Sequence, residues 1–459
     1  MTLTSASTFR GRLLRRHDAG YEQARLDAVW NGRKTTRRPA AILLAADEAD
    51  VQNGVRLAAR EGWKVGIRSG GHSWIANGIR DDALLIDLSA MNEIVLDVPG
   101  RRASVQPAAQ GSRLNDLLDQ HGLVFPTGHC PSVGVGGYLL GGGYGWNSRK
   151  LGPACFSVEA IDAVLADGSL VHADDESQPD LMWAARGAGP GFFGIVTRYH
   201  LRVHPAYDQI LRSSMAFPEE MRDEVLAWSY DVLPATSPSL EIAGKTTWTP
   251  GIDRPTTVLV GVGFCADETA DEIYSLWETA PFRRHAISTV DRVPSSLAGL
   301  YAASEAFMPK GRRYAVDGAW TSAASTEILA AGREILETVP TPESFLFWML
   351  WGGYPTQDHA CWSTQGQLYF SPNSVWTDPS DDLRMEQWAH SALDAFAAID
   401  LGTQFSDANP ADRPAKGIEP ANAARIEQLR SNYDPDGLMV SYLQPHESTT
   451  ALGRHLQQT

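Results

Sequence analysis

The sequence predicts an α+β protein built in two parts, and three observations carry this. Up to residue 205, short strand-like runs alternate with amphipathic helical segments. From 206 to about 400 the composition shifts. Most of the 14 tryptophans fall there, and longer strand-like runs alternate with helices, as in a large antiparallel sheet covered by helices. The third observation is a pair of glycine-rich loops, 68–73 and 128–145, that break the first part. A chain of 459 residues also exceeds one simple core, since domains run to about 100–200 residues.

The elements follow in order. Residues 1–35 are polar and expected on the surface. Residues 38–44 read as the first strand. A helix over 47–61 places Val51, Val55, Leu57, Ala58 and Ala59 on one face. Residues 63–67 form a strand that delivers the chain to Arg68. Strands follow at 84–88, 93–96 and 103–107. Ser112 is the expected cap of a helix reaching His121, with Leu114, Leu117 and Leu118 inward. A hairpin spans 158–173 with Asp167-Gly168 as its turn. A short helix covers 180–186, a glycine turn covers 187–191, and a strand leads away from Phe193. In the second part, 211–217, 240–248, 257–264, 345–351 and 367–376 read as strands. Segments 219–232, 269–279, 325–339 and 383–399 read as helices. Residues 405–420 are loop, and a last helix covers 421–430.

Composition excludes several functions. Lys and Arg number 39 against 55 Asp and Glu, a net charge of −16, which opposes nucleic acid or an anionic membrane as partner. The four cysteines, Cys130, Cys155, Cys265 and Cys361, form no CxxC pair, so no zinc motif and no metal is expected. No apolar run approaches the roughly 20 residues of a membrane span, and the first 20 residues lack a signal-peptide core. The expectation is a soluble, cytoplasmic monomer or homodimer.

The glycine loops carry the chemistry. The stretch GHCPSVGVGGYLLGGGYG, Gly128 to Gly145, holds eight glycines in eighteen residues. Each glycine costs about 0.5–1 kcal/mol relative to alanine inside a regular element, so the run marks a place where backbone must approach a ligand. The upstream loop is Arg68-Ser69-Gly70-Gly71-His72-Ser73. No GxxxxGK[ST] phosphate loop is present, and Gly136-Gly137-Tyr138-Leu139-Leu140-Gly141 misses the dinucleotide spacing. A flavin cradle made of loops remains. These two loops, with Ala184-Ala185-Arg186-Gly187-Ala188-Gly189, Phe193-Gly194-Ile195-Val196 and Asn432-Tyr433-Asp434-Pro435-Asp436, resemble the berberine bridge enzyme-like FAD-linked oxidases of the vanillyl-alcohol oxidase (PCMH-type) superfamily. The resemblance covers residues 36–206 and the last 40, and is architectural across 206–400.

The resemblance implies a PCMH-type FAD domain over 1–205, a substrate domain over 206–405, and a segment 406–459 that returns to the FAD domain. It implies FAD held by two covalent links, from His72 to the 8α-methyl and from Cys130 to C6. Ser69 to Ser73 would bind the pyrophosphate, and Tyr138 would stabilise the reduced flavin. Val133 would set oxygen access. Arg68, Gly128, Gly134, Gly137, Gly141, Gly142, Ile195 and Val196 complete the expected cofactor set. A lone His or Cys is ordinarily a surface residue or a small hydrophobe; here each sits inside its matching motif.

The implied reaction is oxidation of an alcohol or amine carbon of a small molecule by hydride transfer to flavin N5, with O2 reduced to H2O2. The alternatives are a dehydrogenase with another acceptor and a flavin-binding protein without turnover. Tyr144, Tyr369 and Gln404 are the candidates for the base. Asp407 and Asn373 stand behind them, because the family's Y-x-N-Y segment is missing from 402–409. Trp348, Trp351 and Tyr354 are candidate pocket aromatics, and His359 reads as structural.

Overall fold

A computed structural model describes residues 9–248, 251–252 and 254–458. Residues 1–8 of the expected polar segment lie outside them. The fold is α+β, with three sheets of four, five and eight strands and one two-stranded ladder.

The first sheet runs Arg12–Arg15, Ala41–Leu44, Leu84–Asp87, Val65–Arg68, the last three parallel. Its central strands read AILL and LLID with no polar alternation, because both faces are covered. One face packs on the helix Glu48–Glu61, capped by Asp47 accepting the Asp50 amide. Val51, Val55, Leu57 and Ala58 are inward, while Ala59 falls off the edge of the stripe and is exposed. The other face packs on Leu14, Tyr21, Ala28 and Val29. The N-terminal segment from Phe9 onward is therefore not surface decoration: it covers half of this sheet.

The five-stranded antiparallel sheet runs Ile94–Asp97, Arg102–Val105, Ile195–Arg202, Val158–Val164, Leu170–Asp174. Its hairpin turns over Leu165 to Gly168, with Gly168 at φ 78, so the loop is one residue longer than the Asp-Gly pair suggests. The helices Gly111–Asp119 and Pro179–Ala185 share its core with Ile426 and Leu429 of the C-terminal helix Pro420–Tyr433. Ser112 does not cap the first of these. Gln110 precedes it without a side-chain cap, and the Ser112 hydroxyl donates to the Pro131 carbonyl instead.

The eight-stranded sheet is antiparallel throughout, in the order Ser288–Ser295, Gln209–Pro218, Pro255–Cys265, Leu240–Trp248, Phe345–Leu350, Leu368–Trp376, Arg313–Val316, with Ala319–Thr321 also paired to Leu368–Trp376. The five strands expected from sequence form its centre. The three others are short or polar, and Ser288–Ser295 is a largely exposed edge strand containing Pro294. The helix Leu297–Phe307 was also not apparent in the sequence. Its cap is Ser296, which accepts the Gly299 amide. Three long expected helices are shorter and end or begin in tight turns: Arg222–Asp231, Ala270–Tyr274 and Asp382–Ser391.

Side chains alternate across this sheet. Ile242, Leu346, Trp348, Leu350 and Phe370 face one way, onto the helices Arg222–Asp231 and Ser325–Leu336. Glu241, Ala243, Lys245, Phe345, Phe347, Met349, Tyr369, Ser371 and Asn373 face the other way, into a cavity.

Candidate flavin site

That cavity has a volume of about 650 Å3 and lies between the large sheet and the two glycine loops. Every expected cofactor residue but one lines it: Arg68, Ser69, Gly70, Gly71, His72, Ser73, Gly128, Cys130, Val133, Gly134, Gly137, Tyr138, Gly141, Ile195 and Val196. Gly142 does not. Its φ of 103 and the Trp362 ring, 2.6 Å from where a Cβ would sit, give it a packing role. The stretch around it is also less loop-like than its composition suggests, since Val135–Leu140 forms a six-residue helix.

The two loops touch through glycine. A Cβ on Gly70 would lie 2.6 Å from the Gly134 amide nitrogen, so the backbones meet only because neither position carries a side chain. Ser132 ties the candidate link residues together. Its hydroxyl lies 3.1 Å from His72 Nε2 and 3.7 Å from Cys130 Sγ. Burial pulls the His72 pKa down to about 4, against a hydrogen bond to the Ser132 backbone, so the imidazole is neutral at physiological pH. The Trp30 ring stacks on it at 5.0 Å between centroids. Burial pushes the Cys130 thiol up, opposed by Ser132.

The residues present fit a flavin dinucleotide. Among the described residues, the amides of Ser69 to Ser73 donate to no protein acceptor, leaving a row of donors at the cavity wall. Gly137 faces open space where a side chain would fill the cradle.

The comparisons agree. A family model described as an FAD binding domain matches residues 39–174. The FAD-linked oxidoreductase janO of Penicillium janthinellum is 31% identical over 422 residues, covering 89% of this chain and 92% of that protein. The chain belongs to the FAD-linked oxidoreductases. The (R)-6-hydroxynicotine oxidase of Paenarthrobacter nicotinovorans is 28% identical over 272 residues, 59% of this chain and 52% of that one. The crystal structure of 6-hydroxy-D-nicotine oxidase from Arthrobacter nicotinovorans shares the fold, with a TM-score of 0.82 at 21% identity over 95% of this chain and 98% of that one.

The oxidoreductase places its three candidate bases differently. All three line the cavity. Tyr144 is committed: its hydroxyl accepts from Trp362 Nε1 at 2.7 Å and donates to the Thr364 carbonyl at 3.3 Å. Among the described residues the Gln404 side chain makes no hydrogen bond, while its carbonyl accepts the Asp407 and Ala408 amides. The Tyr369 hydroxyl is buried without a hydrogen bond of good geometry among the described residues. Burial and the Asp407 carboxylate raise its pKa well above the usual phenol value. Asp407 lines the same cavity and accepts from Trp74 Nε1 at 3.2 Å, and burial raises its pKa too. Asn373 is spent on Ser371. Tyr138 turns its ring to the cavity, but its hydroxyl donates to the Pro126 carbonyl at 2.7 Å, so its proton is not free for a cofactor oxygen.

The aromatics expected in the pocket do not line it. Trp348 lies on the helix-covered face, and Trp351 and Tyr354 pack behind the cavity wall, in one cluster with Cys155, Trp320 and Trp362 and with the lining residues Tyr144, Phe347, Met349 and Tyr369. Their strand neighbours Phe345, Phe347 and Met349 line the cavity instead. The strand FLFWML is apolar on both faces, so its parity was not readable. His359 stays outside the cavity, where its carbonyl accepts from Arg186. Sequence reading also missed Ser132, Trp30, Trp74, Arg212, Glu241 and Lys245. The one available signal was charge, since Glu241 and Lys245 interrupt an otherwise uncharged strand. Away from the cavity, Asp162, His172 and His200 from three neighbouring strands bring ligand atoms within 4.8 Å of one another, in mutual hydrogen bonds. Their spacing in sequence gave no metal motif. No helix among the described residues is long and apolar enough to cross a membrane.

Proposed function

We propose that this oxidoreductase is an oxidase of a small organic molecule that carries FAD on two covalent links, from His72 and Cys130. The observation that carries the reading is the junction of the two loops: His72 and Cys130 open on one cavity, bridged by Ser132. When bound, the flavin supplies a hydride acceptor that dioxygen returns to its oxidised form. A neutral, desolvated imidazole is a competent nucleophile for one link, and the Ser132 hydroxyl is positioned to hydrogen-bond the Cys130 sulfur as its thiolate for the other. The amides of Ser69 to Ser73 would hold the pyrophosphate, and Val133 would set oxygen access.

On the substrate side, Tyr369 would take the proton from an alcohol or amine and pass its own to Asp407. A carboxylate whose pKa is raised by burial suits that task better than an ordinary aspartate. Trp74 fixes its position. Residues 1–205 and 406–459 would form the cofactor side and 206–405 the substrate side. The packing of Ile418, Ile426 and Leu429 into the core of the five-stranded sheet supports that division. The relatives include proteins named as oxidases of 6-hydroxynicotine, which supports a substrate of that size.

The test is an anaerobic reduction screen of alcohols and amines on the purified yellow protein, followed by mixing with air-saturated buffer. Bleaching followed by fast recovery of colour with stoichiometric H2O2 is expected. Bleaching without fast recovery would make it a dehydrogenase.

A further inference from the structure

The cavity roof carries three charged side chains of the large sheet, Arg212 on Gln209–Pro218 and Glu241 and Lys245 on Leu240–Trp248, with the strand Pro255–Cys265 between them. Glu241 is satisfied. Its carboxylate accepts from the Asn147 amide at 2.9 Å and meets His129 Nε2 at 2.6 Å. The two cations are not. Among the described residues, neither Lys245 nor Arg212 makes a hydrogen bond or an ion pair. Lys245 Nζ instead sits 3.5 Å from the centroid of the Phe307 ring, on the helix that closes this end of the cavity. Other inward cations have partners: Arg33 pairs with Glu386, Arg68 with Asp87, and Arg413 with Asp317 and Asp400, while Arg37 and Arg149 donate to backbone carbonyls. Carboxylates outnumber lysines and arginines 55 to 39, so the missing partner is a matter of position and not of supply.

An ammonium withdrawn from water without a counter-ion costs free energy, and a cation–π contact returns only part of it. Burial, with the nearby Arg212 charge, accordingly pulls the Lys245 pKa down to about 8. Two unpartnered cations facing one cavity form a preorganised seat for a negative group.

We propose that Lys245, assisted by Arg212, binds the carboxylate of the substrate, so that the oxidised molecule is an organic acid with an apolar body. That body would lie against Phe307, Phe345, Phe347 and Met349, which line the same cavity. The proposal rests on reading the cavity as the substrate site of a flavin oxidase. It explains why a charge persists in the strand Leu240–Trp248 at a position facing inward.

The test uses the purified holoenzyme and calorimetric titration with three acids, benzoate, phenylacetate and 3-phenylpropionate, each against its uncharged amide. At least one acid is expected to bind tenfold or more tightly than its amide. Lys245→Gln should abolish that ratio while leaving amide affinity within about twofold, Lys245→Arg should restore most of it, and Arg212→Gln should reduce it. Equal binding of every acid and its amide would overturn the proposal. So would an unchanged ratio in Lys245→Gln, or a shift of flavin absorbance in that variant with acid affinity intact, which would assign Lys245 to the cofactor. The heat of binding is read whether or not the protein is yellow. A colourless preparation would therefore count against the flavin reading alone.

Discussion

His72 and Cys130 can be tested one at a time. If both are links, His72→Ala and Cys130→Ala should each keep FAD bound after denaturation while shifting the visible spectrum, and the double variant should release it. Loss of all covalent flavin in either single variant would refute two links. His72 also makes a pH prediction for the apoprotein. Its pKa is held at about 4 in the fold against an ordinary 6.5. A group with a depressed folded pKa contributes stability that is present above the unfolded value and lost as pH falls through the folded one. Denaturant midpoints should therefore fall between pH 6.5 and 4. His72→Gln should flatten that slope, by up to about 3 kcal/mol across the window at 1.36 kcal/mol per pKa unit. Asp407 runs in the opposite sense as a base: flavin reduction should accelerate as pH rises through its raised pKa. Asp407→Asn should slow reduction about 10²–10⁴-fold and remove that limb. An unaltered pH profile in the variant would exclude Asp407 from the proton path.

At the scale of elements, strand parity separates binding from stability. Trp348 is wholly buried against the helices, and Trp348→Ala should cost about 3–5 kcal/mol in unfolding free energy. Phe347, half-buried on the cavity side, should cost clearly less and weaken ligand binding instead, as paired denaturation and binding curves would show. The glycine loops divide in the same way. Gly137→Leu adds a side chain where nothing lies within 4 Å, so the variant should fold and purify without flavin. Parity is also where the sequence was least legible. Strands with polar alternation reveal their inner face; Phe345–Leu350 is apolar at every position, and only the neighbouring strands decide which side meets the helices. The glycine motifs were legible because close backbone approach leaves no substitute for glycine, as at Gly70 and Gly134. The charged roof was not, because Arg212, Glu241 and Lys245 converge only once the strand order is fixed.

At the scale of the molecule, the N-terminal segment holds the two halves of the cavity together. The Asn31 side chain donates to the Tyr314 carbonyl and accepts the Tyr314 amide, and the Gly32 amide donates to the Arg312 carbonyl, so residues beside His72 are pinned to the large sheet. Trp30 stacks at once on His72 and against Tyr314. This segment looked like polar surface in the sequence because its few inward side chains, Leu14, Tyr21, Ala28, Val29 and Trp30, are scattered among charged residues without a helical or strand period.

The alternation in the large sheet has a practical reach. At Phe345, Phe347 and Met349, and at Tyr369, Ser371 and Asn373, odd numbers point to the ligand and even numbers to the helices. Substrate range can thus drift, or be re-engineered by libraries confined to the odd positions other than Tyr369, without disturbing the even-numbered residues packed on the helices. One scaffold could in this way serve a series of different small molecules while its cofactor seat stays unchanged.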